Sequence, residues 1–222
     1  MNKSILILVL ILGCSQKQVR APSNVPAFVV NVDATKIMPG PPAKGSTAYL
    51  ADFSELERDQ ATRTPQDCAR AETEEDARKV ISFFLQPAGP MTEEQLRFAL
   101  PLLNEVLDEG RPVWSAAKVH WARPRPYVTD LNLKPCVTLE PTFAYPSGHS
   151  ASSELVGDVL SQIFPELKTD IMARAFQIGQ DRIIGGVHHP SDVHDGRAIA
   201  DIVFQALNQD PNYSKYLTNL KE

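Results

Sequence analysis

Met91-Thr92-Glu93-Glu94-Gln95-Leu96-Arg97-Phe98-Ala99-Leu100-Pro101-Leu102-Leu103-Asn104-Glu105-Val106-Leu107-Asp108-Glu109-Gly110 decides the fold class. Thr92 is placed to cap a helix, Gln95 three residues on completes a capping box, and Met91 can staple onto Leu96. Leu96, Leu100, Leu103 and Leu107 then hold one helical face, with a kink expected at Pro101 and a stop at Gly110. Pro112 suits the first turn of a second helix carrying Trp114, Ala117 and Lys118 up to the break at Pro124 and Pro126. The same period returns at Ala151, Leu155, Val159 and Ile163, stopped by Pro165. It returns again at Leu167, Ile171, Ala175 and Ile178, and at Ile199, Val203 and Leu207 after Pro190. No stretch alternates as a strand does, so residues 47–222 are expected to form an all-α helical bundle.

The whole chain fits that reading. Its 222 residues with 43% hydrophobic content suffice for one full-sized core. Eighteen prolines against 11 glycines mark many stops between elements, without the fixed period of a repeat array. With 22 Lys+Arg against 27 Asp+Glu the net charge is -5, which argues against nucleic acid as a partner because a phosphate backbone needs a basic surface. Phosphate chemistry would need a local basic pocket.

The N-terminal end has its own logic. Lys3 precedes an apolar run from Ile5 to Leu12 that is too short to span a bilayer, and Gly13-Cys14 follows at once. Ile11-Leu12-Gly13-Cys14 resembles a bacterial lipobox. The expectation is a lipoprotein signal peptide over 1–13, cleavage before Cys14, and lipidation of Cys14 as the membrane anchor of an exported periplasmic or cell-envelope protein. Residues 14–46, with Pro22, Pro26, Pro39, Pro41 and Pro42 among polar residues, read as an extended tether outside the core. Cys68 and Cys136 remain. An oxidising compartment would let them bridge, and two free buried thiols are the alternative.

Unusual chemistry is concentrated in three short segments. Lys118-Val-His-Trp-Ala-Arg-Pro-Arg125-Pro126 puts a lysine near a helix end and fixes Arg125 between prolines. Pro146-Ser147-Gly148-His149 makes a tight turn directly before a helix, whose free N–H groups form an anion site with His149 beside it. In Asp181-Arg182-Ile-Ile-Gly-Gly-Val-His188-His189-Pro190-Ser191-Asp192, Pro190 starts a helix, so Asp192 falls in its first turn and can reach back to His188. Each segment alone is compatible with a basic surface or an ordinary cap. Their order and spacing together are far more specific: K-x6-R-P, then P-S-G-H, then R-x5-H-x3-D.

With these three motifs the chain resembles the phosphatidic acid phosphatase type 2 superfamily, and within it the soluble bacterial class A non-specific acid phosphatases. The resemblance implies a helical bundle of the acid phosphatase and vanadium haloperoxidase type, and a phosphomonoesterase that needs no metal or other cofactor. It implies that Lys118, Arg125, Arg182, the Ser147 hydroxyl and the amides of Gly148 and His149 grip phosphate. His188 would then be the nucleophile, Asp192 its orienting partner and His149 the general acid. One position departs, Asp181 standing where the family has serine; its carboxylate is expected either to pair with Arg182 or to turn outward into solvent.

Elementary chemistry is consistent with these roles. A phosphate monoester carries about -1.5 to -2 charge near neutrality, which three cations and helix-start amides suit. Histidine attacks only as neutral imidazole, and a carboxylate on its other nitrogen stabilises the cation formed. Three rivals are weighed: a vanadium-dependent haloperoxidase-like protein using the same pocket, a metal-binding protein using His188, His189, Asp192, His194 and Asp195, and a non-catalytic surface lipoprotein. His189 is expected to face away from the chemistry, His120 and His194 to be packing or surface residues, and Trp121 to be a core or rim anchor. The partners expected are a phosphate ester and, through Cys14, a membrane. The physiological ester and the oligomeric state are not legible.

Overall fold

A computed structural model of the chain describes residues 25–221. Cys14 and the signal-peptide reading of 1–13 lie outside the described residues. The helices are α1 (Ala34–Ile37), α2 (Thr47–Thr62), α3 (Pro65–Thr73), α4 (Glu93–Trp121), α5 (Pro126–Thr129), α6 (Gly148–Ile163), α7 (Lys168–Ile184), α8 (Pro190–Gln209) and α9 (Pro211–Lys221), with a 3-10 helix at Ala77–Phe84 and another at Pro165–Leu167. Among the described residues there is no strand, only an isolated bridge between Leu85 and Met91. The fold is all-α. No helix among them is long and apolar enough to cross a membrane.

The centre of the bundle is α6, which packs against α7, α8 and α4. Its composition explains this position. Ser150, Ala151, Ser152, Ser153, Leu155, Val156, Val159 and Leu160 are all buried, so the helix has almost no solvent face. Such a helix belongs inside a bundle. Small residues let its neighbours come close: a Cβ at Gly196 of α8 would lie 2.6 Å from the Ser147 carbonyl oxygen. Any side chain there would push α8 off the start of α6.

The capping box on Thr92 and Gln95 forms as its residues dictate. The helix it starts does not stop at Gly110, however. α4 is one element of 29 residues with Pro101 and Pro112 inside it. Gly110 is where two helices meet closely, since a Cβ there would lie 2.7 Å from the Trp114 ring and 2.9 Å from Leu155 of α6. The apolar face Leu102, Leu103, Val106, Leu107, Val113, Trp114 and Ala117 is continuous and buried. Its burial, worth about 1.5–3 kcal/mol per large side chain, outweighs the roughly 3 kcal/mol of an interior proline.

The spacer reading of 14–46 also needs correction over its described part. Phe28, Ala34 and Met38 are buried in the main core, and Phe28 packs edge-on against Tyr213 of α9 at 5.4 Å between ring centres. The Val29 N–H donates to Asp210, and Asn212 donates to the Ala27 carbonyl. The prolines do make this segment extended, but its apolar residues bind it along α4 and the α8–α9 corner as a strap. Cys68 on α3 and Cys136 are joined by a disulfide.

Candidate active site

Four helix ends meet at one end of the bundle. The last turn of α4 brings Lys118, and α4 stops at Ala122, whose left-handed backbone (φ 45°) turns the chain into the extended Arg123–Arg125 run. The start of α6 brings Ser147, Gly148 and His149, the end of α7 brings Arg182, and the start of α8 brings His188, His189 and Asp192. The cluster joins residues as far apart as Arg123 and Asp192, 69 positions in sequence, because α4, α7 and α8 all pack on α6.

Arg125 and Arg182 are both buried. Arg125 Nε donates to the Thr142 carbonyl at 2.8 Å. Its Nη1 donates to the Val187 carbonyl at 2.9 Å and to His188 Nε2 at 2.8 Å, and its Nη2 donates to Glu140 Oε2 at 2.7 Å and to Thr142 Oγ1 at 2.9 Å. All five guanidinium protons are thus engaged. Arg182 Nη2 lies 3.4 Å from Glu140 Oε1, and its Nη1 donates to the Ala71 carbonyl. Its buried Nε has no partner among the described residues. Lys118 Nζ donates to the carbonyls of Phe143 and Ala144 at 3.0 and 3.2 Å. Burial, helped by Arg125, pushes the lysine's pKa down to about 7.

Ser147 caps α6, its hydroxyl accepting from the Ser150 N–H at 3.3 Å. The Gly148 and His149 N–H groups belong to the first turn, where an α-helix supplies no internal acceptor. His149 is buried with Nε2 2.9 Å from the Glu75 carbonyl. Burial, then the charge of Arg182, push its pKa down to about 3, so the imidazole is neutral here.

His188 is held from both sides. Arg125 donates to Nε2, and Nδ1 faces Asp192 Oδ2 at 3.4 Å, which fixes the lone pair at Nε2 and the proton at Nδ1. Burial first, then Arg125, keep its pKa well below the usual histidine value. Asp192 has other partners that are closer. Its Oδ2 accepts from the His189 N–H at 2.8 Å and faces His189 Nδ1 at 2.9 Å, while Oδ1 accepts from Arg123 Nη1 at 2.6 Å. Burial opposes its ionisation, but the hydrogen bonds from His188 and His189 hold the carboxyl well below its usual range.

His189, expected to face away, therefore shares the carboxylate of the proposed nucleophile's partner. As the α8 cap it turns its ring back onto the first turn, and it packs edge-on against Phe53. Arg123 was given no role in the sequence reading, although it lies only two residues before Arg125. It donates to Asp52 at 2.8 Å and to Ser191 as well as to Asp192, and thus binds α2 to the start of α8. Glu140 was also missed. No motif marks it, since it sits between Pro135 and Pro141 in the long connection from α5 to α6. Burial raises the pKa of its carboxyl, but Arg125, His149, Arg182 and Lys118 outweigh that and hold it below the usual value.

Asp181 follows neither expectation. It is fully buried and accepts a forked pair of hydrogen bonds from Arg70 of α3, Nε to Oδ2 and Nη2 to Oδ1, both at 2.8 Å, plus one from Gln177. On a helix, neighbours in sequence point about 100° apart, so Asp181 faces α3 while Arg182 faces the cluster. The five-residue metal-ligand set does not converge either. His188, His189 and Asp192 meet, but His194 is exposed and bonded to Asp195, Asp195 accepts from Tyr145, and no group of three or more His, Cys, Asp or Glu among the described residues is placed to hold a metal ion. Trp121 packs edge-on against Tyr145 and His120.

Comparison with known proteins places these motifs in a wider group. The PAP2 superfamily description matches residues 102–216. A non-specific acid phosphatase of Providencia stuartii is 32% identical over 199 residues, 86% of this chain and 80% of that protein. One from Salmonella typhimurium is 28% identical over 201 residues, with the same coverage. The solved structure of a bacterial vanadium-dependent iodoperoxidase aligns with a TM-score of 0.59 at 17% identity, over 81% of this chain and 55% of that one, a likeness of fold.

Proposed function

The chain belongs to the PAP2 superfamily, and from that premise we propose that it is a phosphatase of the acid phosphatase kind, hydrolysing phosphate monoesters without a metal ion through a phosphohistidine on His188. The observation that carries this reading is the state of His188: a buried, neutral imidazole with its lone pair at Nε2 beside Arg125 and a carboxylate behind Nδ1. The two relatives named acid phosphatase support it.

In the first step Nε2 attacks phosphorus as the ester P–O bond breaks, and the leaving alkoxide takes a proton from His149. Asp192 stabilises the positive charge that appears on the His188 ring. In the second step His149, now neutral, takes a proton from a water molecule that attacks phosphorus. The P–N bond breaks, inorganic phosphate departs and His188 is neutral again. Lys118, Arg125, Arg182, the Ser147 hydroxyl and the Gly148 and His149 amides hold the phosphoryl oxygens and their transition-state charge. His149 must gain a proton for the first step. Burial first, then the cations, keep it neutral; a phosphate bound beside it offsets the cations, and a monoester retains its own second proton below about pH 6, so acidic conditions favour turnover.

The test is hydrolysis of a panel of phosphate esters by the mature protein, with chelator and with orthovanadate, together with acid quenching of a labelled substrate. Turnover is expected to survive EDTA, to be inhibited by orthovanadate, and to leave label on the wild-type protein but not on His188→Ala. Loss of turnover in EDTA restored by one divalent metal would sink the mechanism, as would label retained on His188→Ala. For location, the proposal is a lipid anchor at Cys14 in the cell envelope. Cys14→Ser should release the protein from the detergent phase.

A further inference from the structure

Resting on the phosphatase reading above, we infer that Glu140 is an internal competitor for the phosphate site, a carboxylate that substrate must displace and that in turn helps to expel product phosphate. Its two oxygens lie one on each arginine, Oε2 on Arg125 at 2.7 Å and Oε1 on Arg182 at 3.4 Å. Two phosphoryl oxygens would take the same positions. Arg125 has no proton left to give, so a phosphate must take the place of one of its present acceptors. Those acceptors are two backbone carbonyls, the Thr142 hydroxyl, His188 Nε2 and Glu140. Glu140 is the single anion among them, and its side chain is 28% exposed whereas Val187 and His188 are buried.

The surroundings let the side chain move while the backbone stays. Tyr127 donates to the Glu140 carbonyl at 2.8 Å, the Thr138 N–H donates to Glu75, and Cys136 ties the connection to α3. Glu140 also borders a surface hollow lined by Glu72, Glu75, Asp76, Arg78, Lys79 and Thr138. Rotated outward, the carboxylate exchanges the arginines for solvent beside cations already paired with Asp76, so it rests on Arg125 and Arg182 until another anion takes them. Two anions cannot share Arg125 and Arg182 without repulsion, and each therefore lowers the other's occupancy. If Glu140 is bound inward in nine molecules of ten, phosphate affinity is reduced about tenfold.

The experiment is calorimetric titration of inorganic phosphate into the full mature protein as wild type, Glu140→Gln and Glu140→Asp, with KM and product inhibition measured in parallel. Glu140→Gln should bind phosphate about tenfold more tightly, with KM falling and product inhibition strengthening by a similar factor. Glu140→Asp keeps the charge one methylene short and should fall between the two. Equal or weaker phosphate binding by a Glu140→Gln protein of unchanged melting temperature would overturn the competitor role and make Glu140 a brace of the arginines. A wild type that turns over and binds phosphate while the variant shows no tightening refutes this inference alone. A wild type that neither binds phosphate nor turns over refutes the reading of the site as well.

Discussion

At its N-terminus α6 meets Lys118, Arg125 and Arg182. Farther along the same helix Glu154 and Asp158 lie beside Asp201 of α8. Both regions crowd like charges into partly dry surroundings, and they are relieved by opposite means. Among the carboxylates the relief is a proton: burial first, then Glu154 and Asp201, push the Asp158 pKa up to about 7. Among the cations only Lys118 and His149 can respond in that way, because a guanidinium keeps its proton throughout the accessible pH range. The two arginines need an anion, and Glu140 supplies it. A crowd of arginines is therefore a demand for a ligand, whereas a crowd of carboxylates is only a sensitivity to pH.

The strongest way to break this contrast is to remove a cation with an unspent donor. Arg182→Ala should lower kcat/KM by about 10³-fold, the cost of losing one aimed donor to transition-state charge. Arg182→Lys should recover part of the loss. Steady-state kinetics within about tenfold of wild type would take Arg182 out of the phosphate site. Behind His188, Arg123→Ala would leave Asp52 and Asp192 as buried carboxylates without their cation. A loss of about 3–5 kcal/mol in denaturant unfolding is expected, along with reduced kcat. A loss under about 1 kcal/mol would show that Ser191 suffices to hold Asp52 and His189 to hold Asp192.

The third prediction concerns pH. A lysine whose pKa is lowered to about 7 carries its charge below that value and loses it above. Above about pH 7, kcat/KM should fall about tenfold per unit, and Lys118→Arg should move that fall to higher pH. A profile flat to pH 9 would mean that Lys118 gives no charge to the substrate. The smallest effect belongs to the acidic side. Asp158 has a folded pKa raised above its unfolded value, so its ionisation costs nothing below about pH 4, costs progressively more up to about 7 and the full amount beyond. Asp158→Asn should stabilise the protein by about 1 kcal/mol at pH 8, after allowance for solvent screening, and not at pH 4. Equal melting-temperature shifts at both pH values would dissociate the effect from charge. Activity should be unchanged, since the group lies away from the reacting end.

Much of this was legible beforehand, for identifiable reasons. The periodic apolar faces of α4, α6, α7 and α8 are local properties, as are the caps at Thr92 and Ser147, and they appear where the residues place them. The order of the three motifs brought Lys118, Arg125, His149, Arg182, His188 and Asp192 into consideration together. Gly110 misled because a glycine that stops a helix and one that admits a neighbouring ring are the same residue in a sequence. Pro-rich residues 25–46 misled because extended backbone says nothing about whether Phe28 and Met38 find a core.

By itself, then, the sequence determined most of the helical faces, the all-α class and the three motifs that meet at one end of the bundle, because helical period, capping and motif spacing act within a few residues of one another. Only the tertiary structure decided the pairings. It gave Asp181 to Arg70, placed His189 on the carboxylate that serves His188, linked Arg123 to Asp52, and laid Glu140 across both arginines. Each of these joins a charged or polar group to a partner selected by the direction in which its element presents it. That direction is fixed only when α6, α7 and α8 have packed, because a buried charge must find its partner among whatever the packing brings within reach.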